Sequence, residues 1–410
     1  MLLGATLGTG CATGQTGNPD GVAGTGARVF GTVVSDTGGQ VEYWAQYGTT
    51  TGYGSQTPHQ TVNTQQNSPV GVLVNFSGLQ RATTYHYRVC AQDSQQKGGP
   101  GCGEDKQFTT VNVDCDDTIT ADLHLSGNLD CIATGGRHGP AVGADGIDID
   151  LAGHTVRGTG FALENNGFDD VTIHHGTLFA FGDALRLTGA SRNLIRFVSA
   201  GRLDDLFGPS TGTGLDIQGG EANEVRHSTL AGSSAGLFAT TSPGLIVADS
   251  SAASGSGSRG AGVAISLQSD LARVVRNGFS AGVAVGGSNN RIVDNDVQAF
   301  GFGIDVSTGS DNLLARNNVH DTGVLVWMTD AGDGIIVRAA AAGTRLRGNV
   351  ATSNFDDGID VLSATTKLRD NRADDNEDFG IDAVTGVTDL GGNTASGNGN
   401  PLQCQNVFCQ

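Results

Sequence analysis

The sequence predicts an all-β protein: a right-handed parallel β-helix over residues 111–410, preceded by a β-sandwich over 21–110. Three observations carry this. A Gly followed by apolar–x–apolar recurs about every 22 residues in the second half. Residues 21–110 instead show short alternating runs broken by Gly/Thr turns. The chain also carries 65 Gly in 410 residues, spread along its length, which suits many tight turns rather than one flexible linker.

Residues 1–20 are expected to be a signal-peptide remnant or flexible N-terminus. Cys11 follows small residues, in the manner of a lipoprotein cleavage site, and is a candidate lipid anchor. In 21–110 the runs Ala27–Val34 and Val41–Tyr47 alternate as half-buried strands do, and Trp44 is the expected core aromatic. Around Cys115 and Cys131, residues 111–145 are expected to cap the coil. An uncapped first coil would expose both an apolar end and an open strand edge.

The repeat occupies 146–410. Its Gly positions are 214, 236, 262, 282, 303, 334, 358 and 380, with steps of 22, 26, 20, 21, 31, 24 and 22 residues. Such a period means a solenoid, here of about ten coils. The alternation turns the outer apolar residues inward and the middle residue outward. In phase with it, Ile292, Leu314, Leu346, Leu368 and Leu390 each precede an Asn by three, at 295, 317, 349, 371 and 393. Stacking aligns these into an internal Asn ladder, and His175 is expected in the same kind of position.

The stretch from Leu79 to Val89, with Tyr85 as a tyrosine corner, and the closing Phe108-Thr109-Thr110 resemble a fibronectin type III domain. On that likeness Cys90 and Cys102 staple neighbouring strands F and G. The family usually has Pro where this chain has Arg81. The Gly–apolar–x–apolar and Asn repeats, with Gly153-His154-Thr155-Val156 and Val171–Gly176, resemble the right-handed parallel β-helix (PbH1) repeat proteins of the pectate-lyase-like superfamily. That resemblance is specific for fold. It leaves function open, since the fold hosts lyases, hydrolases, epimerases and adhesins.

The net charge of −19 disfavours nucleic acid and anionic membranes as partners and leaves divalent cations compatible. No stretch is apolar and long enough to span a membrane. Among seven Cys, local pairing joins Cys90 to Cys102, Cys115 to Cys131 and Cys404 to Cys409, other connectivities remaining formally open. Disulfides point to an oxidising compartment, hence a secreted or cell-surface bacterial protein, expected as a monomer. No CxxC pair or Cys/His spacing suggests zinc.

No motif names a substrate, and whether the chain is an enzyme is left open. Asp216, Asp305, Asp360 and Asp382 take the outward middle position of the repeat. Asp333, Asp356, Asp357 and Asp378 lie just before the same strand on the last coils. The last six of these, Asp333, Asp356, Asp357, Asp360, Asp378 and Asp382, are a candidate calcium site, because hard cations take clustered carboxylate oxygens. A solvated acidic face is the competing explanation. Two long steps suggest loops on one corner, one with Asp204, Asp205 and Phe207, the other with Trp327 and Asp330. β-Helix lyases pair a calcium-held acidic sugar with an Arg or Lys base. On that resemblance Arg345, Arg347, Lys367 and Arg369 are candidate bases and substrate-binding residues, with ion pairing to the Asp rows as the default explanation of all four. Trp327 and Asp330 are substrate-binding candidates from their place on the long step, Trp327 either stacking on a sugar ring or packing on the coil beneath. The expected role is binding, with or without processing, of a polysaccharide or cell-surface glycan; the alternative is a non-catalytic structural or adhesive protein.

Overall fold

In a computed structural model of the protein, the described residues are 11–94, 99–202, 212–254, 263–323 and 332–410. They fall into two compact units. One takes in residues up to Asp117 with Leu125–Gly139 and His154–Arg157; the other comprises Thr118–His124, Pro140–Gly153 and Gly158–Gln410. The segment expected as a cap is therefore divided between them.

In the first unit, strand Gly26–Ser35 pairs antiparallel with Val70–Ser77, and Gly39–Gly48 with Thr84–Asp93. Every second residue of both pairs turns into one core: Val29, Val33, Val72, Val74 and Phe76 from the first, Val41, Tyr43, Tyr85, Tyr87 and Val89 from the second. Phe76 meets Phe108 edge-on at 5.4 Å. The Tyr85 hydroxyl accepts the Gln80 N–H at 3.0 Å. Two expectations need correction. Trp44 is buried, yet it alternates with the core residues Tyr43 and Ala45 and so turns to the opposite face, where it stacks on His59 at 4.0 Å. Strand structure also begins earlier than residue 21, with Ala12–Val22 paired to Gly26–Ser35. That strand lacks apolar alternation because glycine holds inward positions: a Cβ on Gly14 would lie 2.5 Å from the Val89 carbonyl oxygen.

The second unit is a right-handed parallel β-helix. Its first ladder has twelve strands among the described residues, from Thr118–Ile119 to Ile381–Ala383. The inward row runs in register through Leu185, Leu215, Leu237, Ile265, Val283, Ile304, Ile335, Ile359 and Ile381, all fully buried. Burial of one such side chain stabilises by roughly 1.5–3 kcal/mol. The register corrects one repeat: Ile265-Ser266-Leu267, not Val263-Ala264-Ile265, matches Val283-Ala284-Val285. A slip of two keeps the same face inward, so alternation alone does not choose between the frames.

The Asn ladder is present and longer than expected. From Asn277 through Asn295, Asn317, Asn349 and Asn371 to Asn393, each side-chain amide donates at 3.0 Å to the next side-chain oxygen. Each of those oxygens also accepts its neighbour's backbone N–H. Asp389 ends the column by accepting from Asn393 at 2.9 Å. Asp389, not Leu390, pairs in register with Leu368, and Leu390 is exposed. A second column, Asn354–Asn376–Asn398, ends on Gln403. It was legible as an Asn five residues after Asn349, Asn371 and Asn393. His175 stands outside the ladder. It takes the left-handed turn position (φ 54°) and stacks on Phe197 at 5.2 Å, which stacks on His227.

Candidate functional site

The last coils assemble the expected acidic corner. Asp360 and Asp382 are register neighbours, so about 4.8 Å separates their strands. The sets Asp356–Asp357–Asp378 and Asp357–Asp360–Asp382 each bring one ligand atom per residue within 4.8 Å of the others. Two members are interior. Asp333 is 3% exposed and accepts the Asp357 N–H at 3.2 Å; Asp357 accepts the Phe379 N–H at 2.8 Å. Burial, reinforced by the charges of Asp360, Asp357 and Asp356, pushes the Asp333 carboxyl up to about 8. Burial likewise pushes Asp357 up to about 7, against the pull of its backbone hydrogen bond. Asp382 is raised by burial while Gln405 donates to it at 2.9 Å, and Asp378 accepts from Asn400 at 2.9 Å. Acidic oxygens in this number, partly withdrawn from water, suit a hard cation such as calcium.

The other middle-position carboxylates do not join this corner. Ile336 stands in register between Asp305 and Asp360, and Asp305 is ion-paired with Arg338 at 3.0 Å. Asp216 lies many coils earlier, is buried, and has its carboxyl raised by desolvation.

The cations gather elsewhere. Arg345, Arg347, Lys367 and Arg369 flank the inward Leu346 and Leu368 on the second ladder, with Arg345 opposite Lys367 and Arg347 opposite Arg369. They line a groove of about 490 Å³ together with Arg291, Leu271, Leu313, Leu390 and Asp311. The expectation that they pair with the Asp rows is not met. Among the described residues only Arg369 of these four has a carboxylate within 4.0 Å, its neighbour Asp370 at 3.3 Å. The reason is topological: the Asp rows belong to the first ladder and its preceding turn, and the cations to the second. Arg291 completes the groove and was not foreseen, because Leu313, in register between it and Arg345, interrupts the row of cations. Trp327, Asp330, Asp204, Asp205 and Phe207 lie outside the described residues.

The three locally paired disulfides are formed, and Cys11 is free and exposed. Among the described residues no helix is long and apolar enough to cross a membrane.

The profile of the family described as "Right handed beta helix region" matches residues 273–406. No curated protein sequence matches the chain. Solved structures similar to it include DFA-IIIase from Arthrobacter chlorophenolicus A6, 16% identical with a TM-score of 0.40, over 56% of this chain and 60% of that one. This chain thus spans less than two thirds of that protein. Another is the A-module of the Azotobacter vinelandii mannuronan C-5 epimerase AlgE6, 13% identical, TM-score 0.42, over 72% of this chain and 88% of that one. A double mutant of the periplasmic alginate epimerase AlgG is 15% identical, TM-score 0.43, over 73% and 80%.

Proposed function

We propose that this is an exported β-helix protein that binds an acidic polysaccharide in the cationic groove of the second ladder. The observation that carries the reading is the two-by-two array of Arg345, Lys367, Arg347 and Arg369. Like charges on strands about 4.8 Å apart repel by roughly 1 kcal/mol per pair in water. A chain of net charge −19 that nonetheless gathers five cations in one groove offers a site for repeated anions. Arg suits carboxylates bidentately, and Leu271, Leu313 and Leu390 offer apolar surface to sugar faces. Export rests on the three disulfides, and Cys11 is the candidate anchor. The N-terminal unit is proposed as a fibronectin type III module, supported by the Tyr85–Gln80 hydrogen bond at the expected corner. The acidic corner is proposed to hold calcium, and any processing of the glycan is assigned to that corner.

Calorimetry with polygalacturonate, alginate and a neutral glucan tests the binding claim. The acidic polymers are expected to bind, more weakly at higher salt. Charge reversal by Arg345→Glu with Lys367→Glu should abolish the heat. Equal binding of the neutral glucan, or tighter binding of an oligonucleotide, would refute the assignment. Incubation of the same polymers with protein and Ca²⁺ separates binding from processing: new reducing ends or unsaturated uronate absorbance mark an enzyme. Neither binding nor product leaves the structural spacer.

A further inference from the structure

We propose that Asp150, His174 and His175 form a binding site for a borderline divalent transition-metal ion such as Zn²⁺, separate from the acidic corner and the cationic groove. The ladder register stacks His124, Asp150 and His174 on three successive coils. His174 is buried, and its Nε2 lies 3.0 Å from both oxygens of Asp148. A carboxylate only accepts, so Nε2 carries the proton and Nδ1 keeps a free lone pair. That Nδ1 lies 2.6 Å from the Nδ1 of His175 and 3.5 Å from Asp150 Oδ1; the His175 nitrogen lies 3.9 Å from the same oxygen. Three donor atoms therefore converge on one point. A tetrahedral ion with bonds of about 2.0–2.1 Å sets its ligands about 3.3 Å apart. Accommodating it parts the two nitrogens by less than an ångström and draws Asp150 in slightly.

The surroundings hold this geometry in place. Asp148 behind His174 is the outer-shell carboxylate that fixes a ligating imidazole's tautomer and raises its basicity. His175 is fixed by its left-handed backbone and by Phe197, whose ring lies parallel to within 6°. His124 holds the second oxygen of Asp150 at 2.9 Å. The His175 side chain is 52% exposed, so an ion can enter from solvent and keep a fourth position for water. Two imidazoles and one carboxylate select Zn²⁺, Cu²⁺ or Ni²⁺ over Ca²⁺ and Mg²⁺.

The test is calorimetric titration of the chelator-treated full chain with ZnCl₂, repeated in buffers of different ionisation enthalpy. One ion is expected to bind in every buffer, the proton between the two Nδ1 atoms moving to Nε2 of His175 so that both Nδ1 lone pairs face the ion. His175→Asn removes one ligand with a residue that tolerates the left-handed backbone, and is expected to lose binding while circular dichroism stays unchanged. Asp148→Asn, which removes only the positioning carboxylate, should weaken affinity about 10–100-fold. Asp360→Asn with Asp382→Asn should leave the zinc titration as it was. Absence of zinc binding by the parent protein, or an unchanged titration in His175→Asn, would overturn the site and leave a plain His–His hydrogen bond.

Discussion

Replacing Asp333 by Asn should stabilise the last coils at neutral and alkaline pH and leave them unchanged in acid. The unfolded carboxyl loses its proton near 3.8, the folded one near 8. Between these values the native state retains a proton that the unfolded state has released, so stability falls as pH rises. The contribution is whole below about pH 4 and is lost as pH climbs through 8. At 1.36 kcal/mol per pH unit, the span from 3.8 to 8 amounts to about 6 kcal/mol, and the part already lost at pH 7 to about 4 kcal/mol. Asn keeps an oxygen to accept the Asp357 N–H and carries no charge to desolvate, so up to about 4 kcal/mol should return at pH 7. Asp357 titrates beside it and shares part of the effect, so the two gains are linked rather than summed. The assay is urea denaturation from pH 4 to 9 in chelator, read by circular dichroism, with hydrogen exchange followed in peptides spanning residues 332–383. Wild type should weaken steadily with pH while Asp333→Asn weakens much less. Adding Ca²⁺ should restore wild type above pH 7 and affect the variant less, because a bound cation favours the ionised carboxyl. Parallel curves for the two proteins would refute the argument.

Truncating the ladder at Asn349→Ala leaves the N–H groups of Asn317 and the carbonyl of Leu314 without their partner, and should cost about 2–4 kcal/mol in denaturation. Asn318→Ala, one residue along from the ladder on the exposed face, removes only a bond to Asp296 and should cost less than about 1 kcal/mol; equal losses would contradict a ladder role. Tyr85→Phe deletes the acceptor of the Gln80 N–H and should lower stability of the N-terminal unit by roughly 1 kcal/mol, seen in a thermal melt. Asp389→Ala uncaps the Asn column and frees the Phe408 N–H. Faster hydrogen exchange confined to the last two coils is expected, and protection unchanged there would count against the cap.

Much of the coil is visible in one dimension because its period is short and its chemistry repeats. Inward residues recur at fixed spacing, and the Asn positions mark one corner of each turn. Local alternation fails where two frames bury the same face, as at 263–267, and where a glycine takes an inward strand position, as at Gly14. Trp44 shows a related limit. Size and apolarity suggested a core residue, while strand parity put the ring on the other face.

The sequence by itself determined the repeat, the Asn ladder, the acidic membership of the last coils and the local cysteine pairs, since each depends on spacing along the chain. Only the tertiary structure decided which of these charges meet. Asp360 and Asp382 are neighbours because register stacks them, and Asp305 is excluded because Ile336 intervenes. Arg345 and Lys367 stand apart from the carboxylates because a turn carries them onto another ladder. Asp150 and His174, 24 positions apart in the chain, come within reach through one hydrogen-bonded step. Coulomb and coordination energies depend on separation in space, and in a solenoid that separation is set by the stacking of coils.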